Sequence, residues 1–301
     1  MSRILTSQPC AKGRPDDARE VLGRRLRFLR EATGLSPTDA GRHIGGSGSK
    51  ISRIEWGRIK VKEEDVYQLL ALYGVTDRHE RKALLELARR LDTRQWWDAY
   101  SDLLDGWFCS YLVLESIAQH IRTYEVRFIP GLLQTPAYAE AVIRLHHTNP
   151  DEVRRRVEVR RQRQRALLSN ETPHLWAVIE KVALGEAALP HGIAGPDVMR
   201  DQITFLQRVA QCRNVNIQIL QPGASGRVGV DTSFSLLRNK GLPDVAYLEH
   251  IGSAFFLDNP TVSEPYEVAI NRLAVAAGSS EKTPATLTEA LAHISGAAGT
   301  G

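Results

Sequence analysis

Gly34 to Lys60, GLSPTDAGRHIGGSGSKISRIEWGRIK, reads as a short helix, a tight turn and a second helix. Ser36 followed by Pro37 marks the first start, because a serine hydroxyl caps a free amide and proline's φ is already set for the first turn. Gly45 and Gly46 end that helix, since glycine enters the left-handed backbone region without strain. Ser47 is a second N-cap. From it, Ile51 and Ile54 fall on one helical face, while Ser49, Lys50, Ser52 and Arg53 project away from that face. A helix packed on one side, with short polar and basic groups on the other, suits insertion into a DNA groove.

These residues resemble the lambda-repressor-like helix-turn-helix regulators, of the Cro/repressor or xenobiotic-response-element type. The resemblance is carried by Leu35-Ser36, the Gly45 turn, and Ser47-x-Ser49-Lys50-Ile51-Ser52-Arg53-Ile54-Glu55-x-Gly57, whose tail is its specific part. It implies a repressor-like bundle, with double-stranded DNA met by Ser36, Thr38, Ser47, Gly48, Ser49, Lys50, Ser52, Arg53 and Arg58. Pro37 and Gly48 depart from the pattern, standing where members commonly place glutamines that touch phosphate or base edges. The plain alternative is a helical bundle kept for packing alone. Gly45-Gly46-Ser47-Gly48-Ser49-Lys50 also has the outline of a phosphate-cradling loop, but Ser49 breaks the Gly-Lys-Ser/Thr order and no hydrophobic strand precedes it.

A chain of 301 residues predicts about two domains. No apolar run approaches the roughly 20 residues of a membrane helix, and the N-terminus lacks a secretory apolar region, so a cytoplasmic protein is expected. Cys10, Cys109 and Cys212 are odd in number and far apart, which indicates neither a disulfide framework nor a thiolate metal site. Residues 1–95 hold 20 Lys and Arg against 13 Asp and Glu, a net +7, whereas the remainder is −3. The half carrying the helix pair is therefore the half suited to steering toward a polyanion.

Up to about Ala18 the chain mixes Ser, Gln, Pro, Gly and Asp without period, and residues 1–18 are expected to be a disordered arm. Glu20 to Thr33 is predicted helical, with Leu22, Leu26 and Leu29 as its core stripe and Arg24, Arg27 and Arg30 outside it. Val66, Leu69, Leu70 and Tyr73 repeat at helical spacing, and Leu84, Leu85, Leu87, Ala88 and Leu91 repeat again. The result is an all-α five-helix bundle over residues 19–92.

Trp96-Trp97 opens a different kind of sequence. Two adjacent indoles at a junction are most simply an anchor that docks a linker, although a ligand cage is the sharper idea. Leu103 to Ile121 is predicted helical, with Glu115 amid its apolar stripe as a buried carboxylate that pairs with an arginine or does chemistry. Tyr124 to Ala139, YEVRFIPGLLQTPAYA, reads as a short strand turning at Pro130-Gly131 into a helix. Here the chain is similar to the C-terminal domain, of unassigned function, of many actinobacterial repressor-like regulators encoded beside a small companion protein. The matches are Trp96-Trp97, Tyr111-x-x-Leu114-Glu115-x-x-Ala118 and Arg160-x-x-Arg163-Gln164-x-x-Leu167. The resemblance implies a domain over residues 96–278 that receives a partner or signal, and it supplies no catalytic residues.

Asp151 to Leu168 is a helix with Arg154, Arg155, Arg156, Arg160, Arg161, Arg163 and Arg165. Such a run is either a solvated face with its stems over apolar neighbours, or a surface for an acidic partner or a phosphate. Leu175 to Ile179 and Val215 to Leu220 read as strands around a helix from Pro196 to Cys212. A glycine-rich loop, Pro222 to Gly229, follows; then come strands at Phe234 to Leu237 and Val245 to Leu248, and a helix from Val262 to Ala277. That order argues for an α+β domain with a mainly antiparallel or mixed sheet. Residues 279–301 are expected to be a weakly ordered tail with a weak helix from Leu287 to Ile294.

No histidine pair has metal-ligand spacing, and no nucleophile-elbow pattern occurs, so neither catalysis, a metal nor a cofactor is expected. The leading reading is a sequence-specific DNA-binding transcription regulator, dimeric because one short recognition helix discriminates little and a two-fold protein doubles it on a palindrome. Its C-terminal domain is expected to receive a protein partner, with Trp96, Trp97, Glu115, Tyr124, Arg160 and Arg163 as candidate contacts. Two other readings stand beside it: a small-molecule sensor, in which Trp96, Trp97 or the Pro222 to Gly229 loop closes on a ligand, and an antitoxin-like module that sequesters the companion and autoregulates.

Overall fold

The computed structural model describes residues 18–169, 173–185 and 195–297. The expected arm, apart from Ala18, lies outside them, as do the last four residues of the expected tail.

The N-terminal unit is the expected five-helix bundle: α1 (Ala18–Ala32), α2 (Pro37–His43), α3 (Gly48–Glu55), α4 (Glu63–Leu72) and α5 (Arg78–Asp92). Its core is assembled from the periodic positions, with Leu22, Leu26, Ile51, Ile54, Val66, Leu69, Leu70, Leu84 and Leu87 all buried. Asp77 caps α5 by accepting from the Glu80 amide at 2.7 Å. One expectation for α1 fails: Arg30 is not on its outer face but is buried, for reasons given below.

After a short 3₁₀ turn (Trp96–Tyr100) come α6 (Gly106–Ile117), β1 (His120–Glu125), α7 (Pro136–Ile143), α8 (Pro150–Ser169), β2 (His174–Glu180), α9 (Pro196–Val209) and β3 (Val215–Leu220). Then follow α10 (Ala224–Val228), β4 (Phe234–Arg238), β5 (Val245–His250), β6 (Ser253–Leu257), α11 (Pro260–Ala277) and α12 (Thr283–Ala297). The six strands form one mixed sheet in the order β3-β2-β1-β4-β5-β6. β1, β2 and β3 run parallel, as their long helical crossovers require, while β4, β5 and β6 are antiparallel. The domain is thus α+β with a mixed sheet.

Local differences from the sequence reading have identifiable causes. The predicted helix to Ile121 stops at Ile117, because Gln119 donates to the Arg238 carbonyl at 2.9 Å and the following residues are taken up by the sheet. β6 is a strand that the sequence reading lacks, although Ala254 to Leu257 form an apolar run; Ile251-Gly252 closes a two-residue hairpin that folds it back on β5, with Gly252 at φ +75°. The glycine-rich loop contains α10, bracketed by Gly223 and Gly229 in left-handed backbone. Finally, α12 extends beyond the predicted weak helix and buries Leu287, Ala290 and Ile294, packing on α9, while the Thr283 hydroxyl donates to the Ile217 carbonyl at 2.6 Å.

The two units share a core. α6 packs against α1 and α5, and one apolar cluster runs from Leu84 and Leu87 through Trp97, Trp107 and Tyr111 to the sheet. Arg24 of α1 reaches Asp258, just past β6, at 2.9 Å. Gly241, at φ +97°, lies so close to the α5 start that an added Cβ would sit 2.4 Å from backbone atoms of His79 and Glu80. A second cluster, built on Tyr124, Val178, Phe234 and Leu236, lies under α11.

Candidate nucleic-acid interface and C-terminal cavity

α2 and α3 are built as their sequence predicts. The Ser36 hydroxyl accepts from the Asp39 amide at 3.2 Å and Ser47 accepts from the Lys50 amide at 3.2 Å, each satisfying an amide with no partner inside its helix. Backbone proximity holds the pair together. A Cβ on Gly41 would lie 2.4 Å from the Ser47 carbonyl carbon, and one on Gly23 would lie 2.5 Å from the Ile54 and Glu55 carbonyl oxygens. Gly48 fits the same scheme: a Cβ there would meet Thr38 Oγ1 at 2.9 Å. The departure from glutamine at this position therefore lets the first turn of α3 lie against α2.

Of the expected DNA contacts, Ser36, Thr38, Ser47, Ser49, Arg53 and Arg58 are exposed, and Gly48 and Ser52 are half-buried. Ile51 and Ile54 are buried on the opposite face. Arg53 lies along the helix with Nε 3.3 Å from the Ser49 carbonyl. Lys50 is half-buried, with its ammonium 2.8 Å from Asp65 of α4. Two neighbours missed in the sequence extend the surface. Arg42 of α2 is exposed, and Trp56, directly after α3, is exposed with the Arg27 guanidinium 5.5 Å from its ring. Trp56 occupies the unspecified position in Glu-x-Gly, so the motif itself gave no signal for it.

Glu55, part of the signature, faces inward. Its oxygens accept from Arg30 Nε at 2.6 Å and Nη2 at 2.9 Å, and Arg30 Nη1 donates to the Leu35 carbonyl at 2.7 Å. The hydrogen bonds that Arg30 donates to Glu55 hold its guanidinium above the ordinary arginine pKa. One arginine thus ties α1, the start of α2 and the end of α3.

In the C-terminal domain, Trp97 is buried and Trp96 leans edge-on against it at 5.3 Å, as an anchor would. Glu115 pairs with Arg163 at 2.8 and 2.7 Å, both buried, with the guanidinium 5.3 Å from the Phe108 and Tyr111 rings. Tyr124 is buried and donates to Glu180 at 2.9 Å. Arg160 is hydrogen-bonded to Gln134 Oε1. Neighbouring arginines are tied too: Arg155 to Asp102 at 2.7 Å, and Arg156 to Glu152 at 2.9 Å and to the Leu103 carbonyl at 2.6 Å. The structure therefore does not bring the six candidates to one outer surface.

It brings two of them to a cavity instead. The Pro130 to Gln134 segment is pinned by amide side chains: Gln164 donates to the carbonyls of Leu132 and Gln134, Gln202 to that of Leu133, and Gln134 to that of Ile129. Beneath it lies a cavity of about 810 Å³, walled by α6, α8 and the sheet, onto which Arg160 and Arg163 open but Trp96, Trp97 and Tyr124 do not. Glu125, at the end of β1, lines it; burial pushes its carboxyl up to about 7, against a hydrogen bond from Ser233 that lowers it. Glu249 lines it as well, accepting from the Tyr247 hydroxyl at 2.9 Å. Burial pulls the Arg160 guanidinium down to about 10.

A raised carboxyl has a definite consequence for stability. Between the unfolded value near 4.3 and about 7, the folded chain holds a proton on Glu125 that the unfolded chain has lost. This group's contribution is therefore most favourable at low pH and is lost as pH rises through that window. Unfolding of wild type and Glu125→Gln at pH 5 and pH 8 checks this: the variant is expected to gain stability relative to wild type at the higher pH, and an unchanged difference rejects it.

Among the described residues no group of three or more His, Cys, Asp or Glu is placed to hold a metal ion, and no helix is long and apolar enough to cross a membrane. Comparison with known families matches residues 21–84 to a helix-turn-helix domain, which supports DNA binding, and residues 108–289 to a domain of unknown function, DUF5753. No curated protein and no solved structure matches the chain. With that second match covering more than half of its length, the chain belongs to the DUF5753 family and is a helix-turn-helix regulator whose C-terminal domain has no assigned function.

Proposed function

We propose that this protein is a sequence-specific DNA-binding transcription regulator, acting as a homodimer on paired half-sites, whose C-terminal domain sets operator affinity. The observation that carries the reading is α3: buried by Ile51 and Ile54 on one side, exposed at Ser49 and Arg53 on the other, and locked to α2 by glycine contacts. Arg53→Ala is expected to weaken binding on every duplex and to reduce the salt slope by about one, as loss of a phosphate contact does. Ser49→Ala is expected instead to change the preference between duplexes. Titration of full-length protein against a duplex selected from a random pool, at several salt concentrations, measures both. Folded variants with wild-type affinity and preference would sink the DNA face.

For the C-terminal domain, the cavity favours a small molecule over a protein as the signal. Reception of a companion protein, including the antitoxin-like form, relied on a cationic surface formed by the arginine helix. Arg160 and Arg163 open onto the cavity, and Arg154, Arg161 and Arg165 are exposed beside Asp151 and Glu158. A cavity of about 810 Å³ with a few convergent polar groups has the size and character of a small-molecule site. A stable complex with the neighbouring small protein, indifferent to any metabolite, would reverse this choice.

A further inference from the structure

Resting on that small-molecule reading, we propose that the cavity takes an organic cation with an apolar body, its ammonium group held by Glu125 and Glu249. The charges lining the cavity favour this sign. Arg163 is neutralised by Glu115, and Arg156 by Glu152. Arg160 meets only neutral acceptors, Gln134 Oε1 and the Ala139 carbonyl, among the described residues. Glu125 and Glu249 meet hydroxyls, those of Ser233 and Tyr247, and no cation is in hydrogen-bonding reach of either among the described residues. Once Glu125 has released its proton, two carboxylates therefore face one guanidinium, and Asp105 lines the same cavity.

An anionic ligand would meet those carboxylates, and a neutral apolar one would strip their water and return nothing. A cation supplies the missing charge, and Arg160 is left for a hydroxyl or carbonyl on the same ligand. Aromatic side chains on the lining suit the apolar body: Phe108 stacks on Tyr111 at 5.9 Å and Tyr111 meets Tyr247 at 4.4 Å.

The same elements reach the DNA-binding unit. α6 carries Phe108 and Tyr111 to the cavity and packs on α1 and α5. The β5–β6 hairpin puts Gly252 on the cavity, and Asp258 beyond it holds Arg24 of α1. A ligand that shifts either element shifts the support of α3.

Calorimetry of the full-length protein with phenethylammonium, phenylpropionate and phenethyl alcohol tests the assignment, since the three share a shape and differ in charge. Phenethylammonium is expected to bind at least about tenfold tighter than the alcohol, one per chain, and phenylpropionate not at all. In the Glu125→Gln, Glu249→Gln double variant the amine loses its advantage over the alcohol, while the alcohol, relieved of the carboxylates' desolvation, binds at least as tightly as to wild type and so reports an intact cavity. Glu125 faces Glu249 and Tyr247 from β5, Arg160 from α8 and Tyr138 from α7, and must release its proton to meet a cation. Amine affinity is therefore expected to climb as pH rises toward about 7 and to level off above it. Phenylpropionate binding as well as the amine, or amine affinity unaltered in the double variant, overturns the cation assignment; binding of none of the three overturns the cavity as a ligand site. Operator affinity is read separately with and without phenethylammonium, so that an amine that binds without changing it removes the signalling reading and leaves the ligand assignment standing.

Discussion

Replacing Glu55 by alanine is expected to cost about 3–5 kcal/mol of stability, because it strands the Arg30 guanidinium inside the bundle. Both side chains are almost wholly inaccessible, at 8% and 5% exposure, so water cannot take over the lost hydrogen bonds. Arg30 is also fastened to the Leu35 carbonyl and cannot swing out without releasing the entry to α2. The pair itself is not the source of so large a figure: its attraction is largely offset by the desolvation of both ions, and it is the orphaned charge that is costly. Replacing both partners, with Arg30→Met and Glu55→Leu together, is accordingly expected to cost much less than Glu55→Ala alone. Urea unfolding of the full-length variants, followed by far-UV circular dichroism, measures the difference. Arg53→Ala serves as the control, an exposed substitution expected to stay within about 0.5 kcal/mol of wild type. A Glu55→Ala protein as stable as the control would show that the ion pair is dispensable.

That pair also marks a limit of sequence reading. Arg30 follows Arg24 and Arg27 at a three-residue spacing, and spacing alone puts all three on a solvated face. Glu55 belongs to a recognisable signature, yet its partner lies 25 residues away and only the crossing of α1 over α3 brings them together. Local signals fared better. Caps, proline at N1 and glycine turns depend on a few adjacent residues, so α2, α3 and the rest of the bundle were legible in the chain. In the C-terminal domain β2, with its continuous apolar run, and β3, alternating apolar with polar, were legible because those patterns too are local.

What sheet pairing alone creates was not legible. β1 begins at His120 because residues on both sides of it offer free backbone partners, and β6 exists because a two-residue turn folds it back on β5. The candidate ligand site is non-local throughout. Glu125, Arg160 and Glu249 come from three distant stretches, and nothing in their neighbours identifies them as groups facing one cavity. The arginine run on α8 likewise reads as one surface in sequence and divides in three dimensions: Arg163 and Arg160 inward, Arg155 and Arg156 sideways onto the Trp96 to Leu103 segment, the others outward.

Gly41→Ala is expected to have the second large effect, and it separates two reasons for a glycine. Gly45 has φ +63° and nothing within 4 Å of a hypothetical Cβ, so alanine there meets backbone strain alone, worth about 1 kcal/mol. Gly41 sits inside α2 in ordinary helical backbone, where helix propensity by itself favours alanine by about 1 kcal/mol. Space decides the sign. The new Cβ would lie 2.4 Å from the Ser47 carbonyl carbon and 2.5 Å from its oxygen, and neither can rotate aside as a side-chain end would. α2 and α3 must part, at a cost near or above the upper end of the roughly 1–3 kcal/mol typical of overpacking. The separation also moves Ser36 and Thr38 relative to Ser49 and Arg53, and docking on a duplex requires both helices in fixed relation. Gly41→Ala is therefore expected to lose at least about tenfold in affinity for any duplex, selected or random, and to do so even where the protein is still mostly folded. Gly45→Ala is expected to lose less on both counts. Denaturant unfolding and duplex titration of the two variants side by side give the comparison, and a Gly41→Ala protein that is as stable and as tightly bound as wild type would show that α2 and α3 do not need this contact.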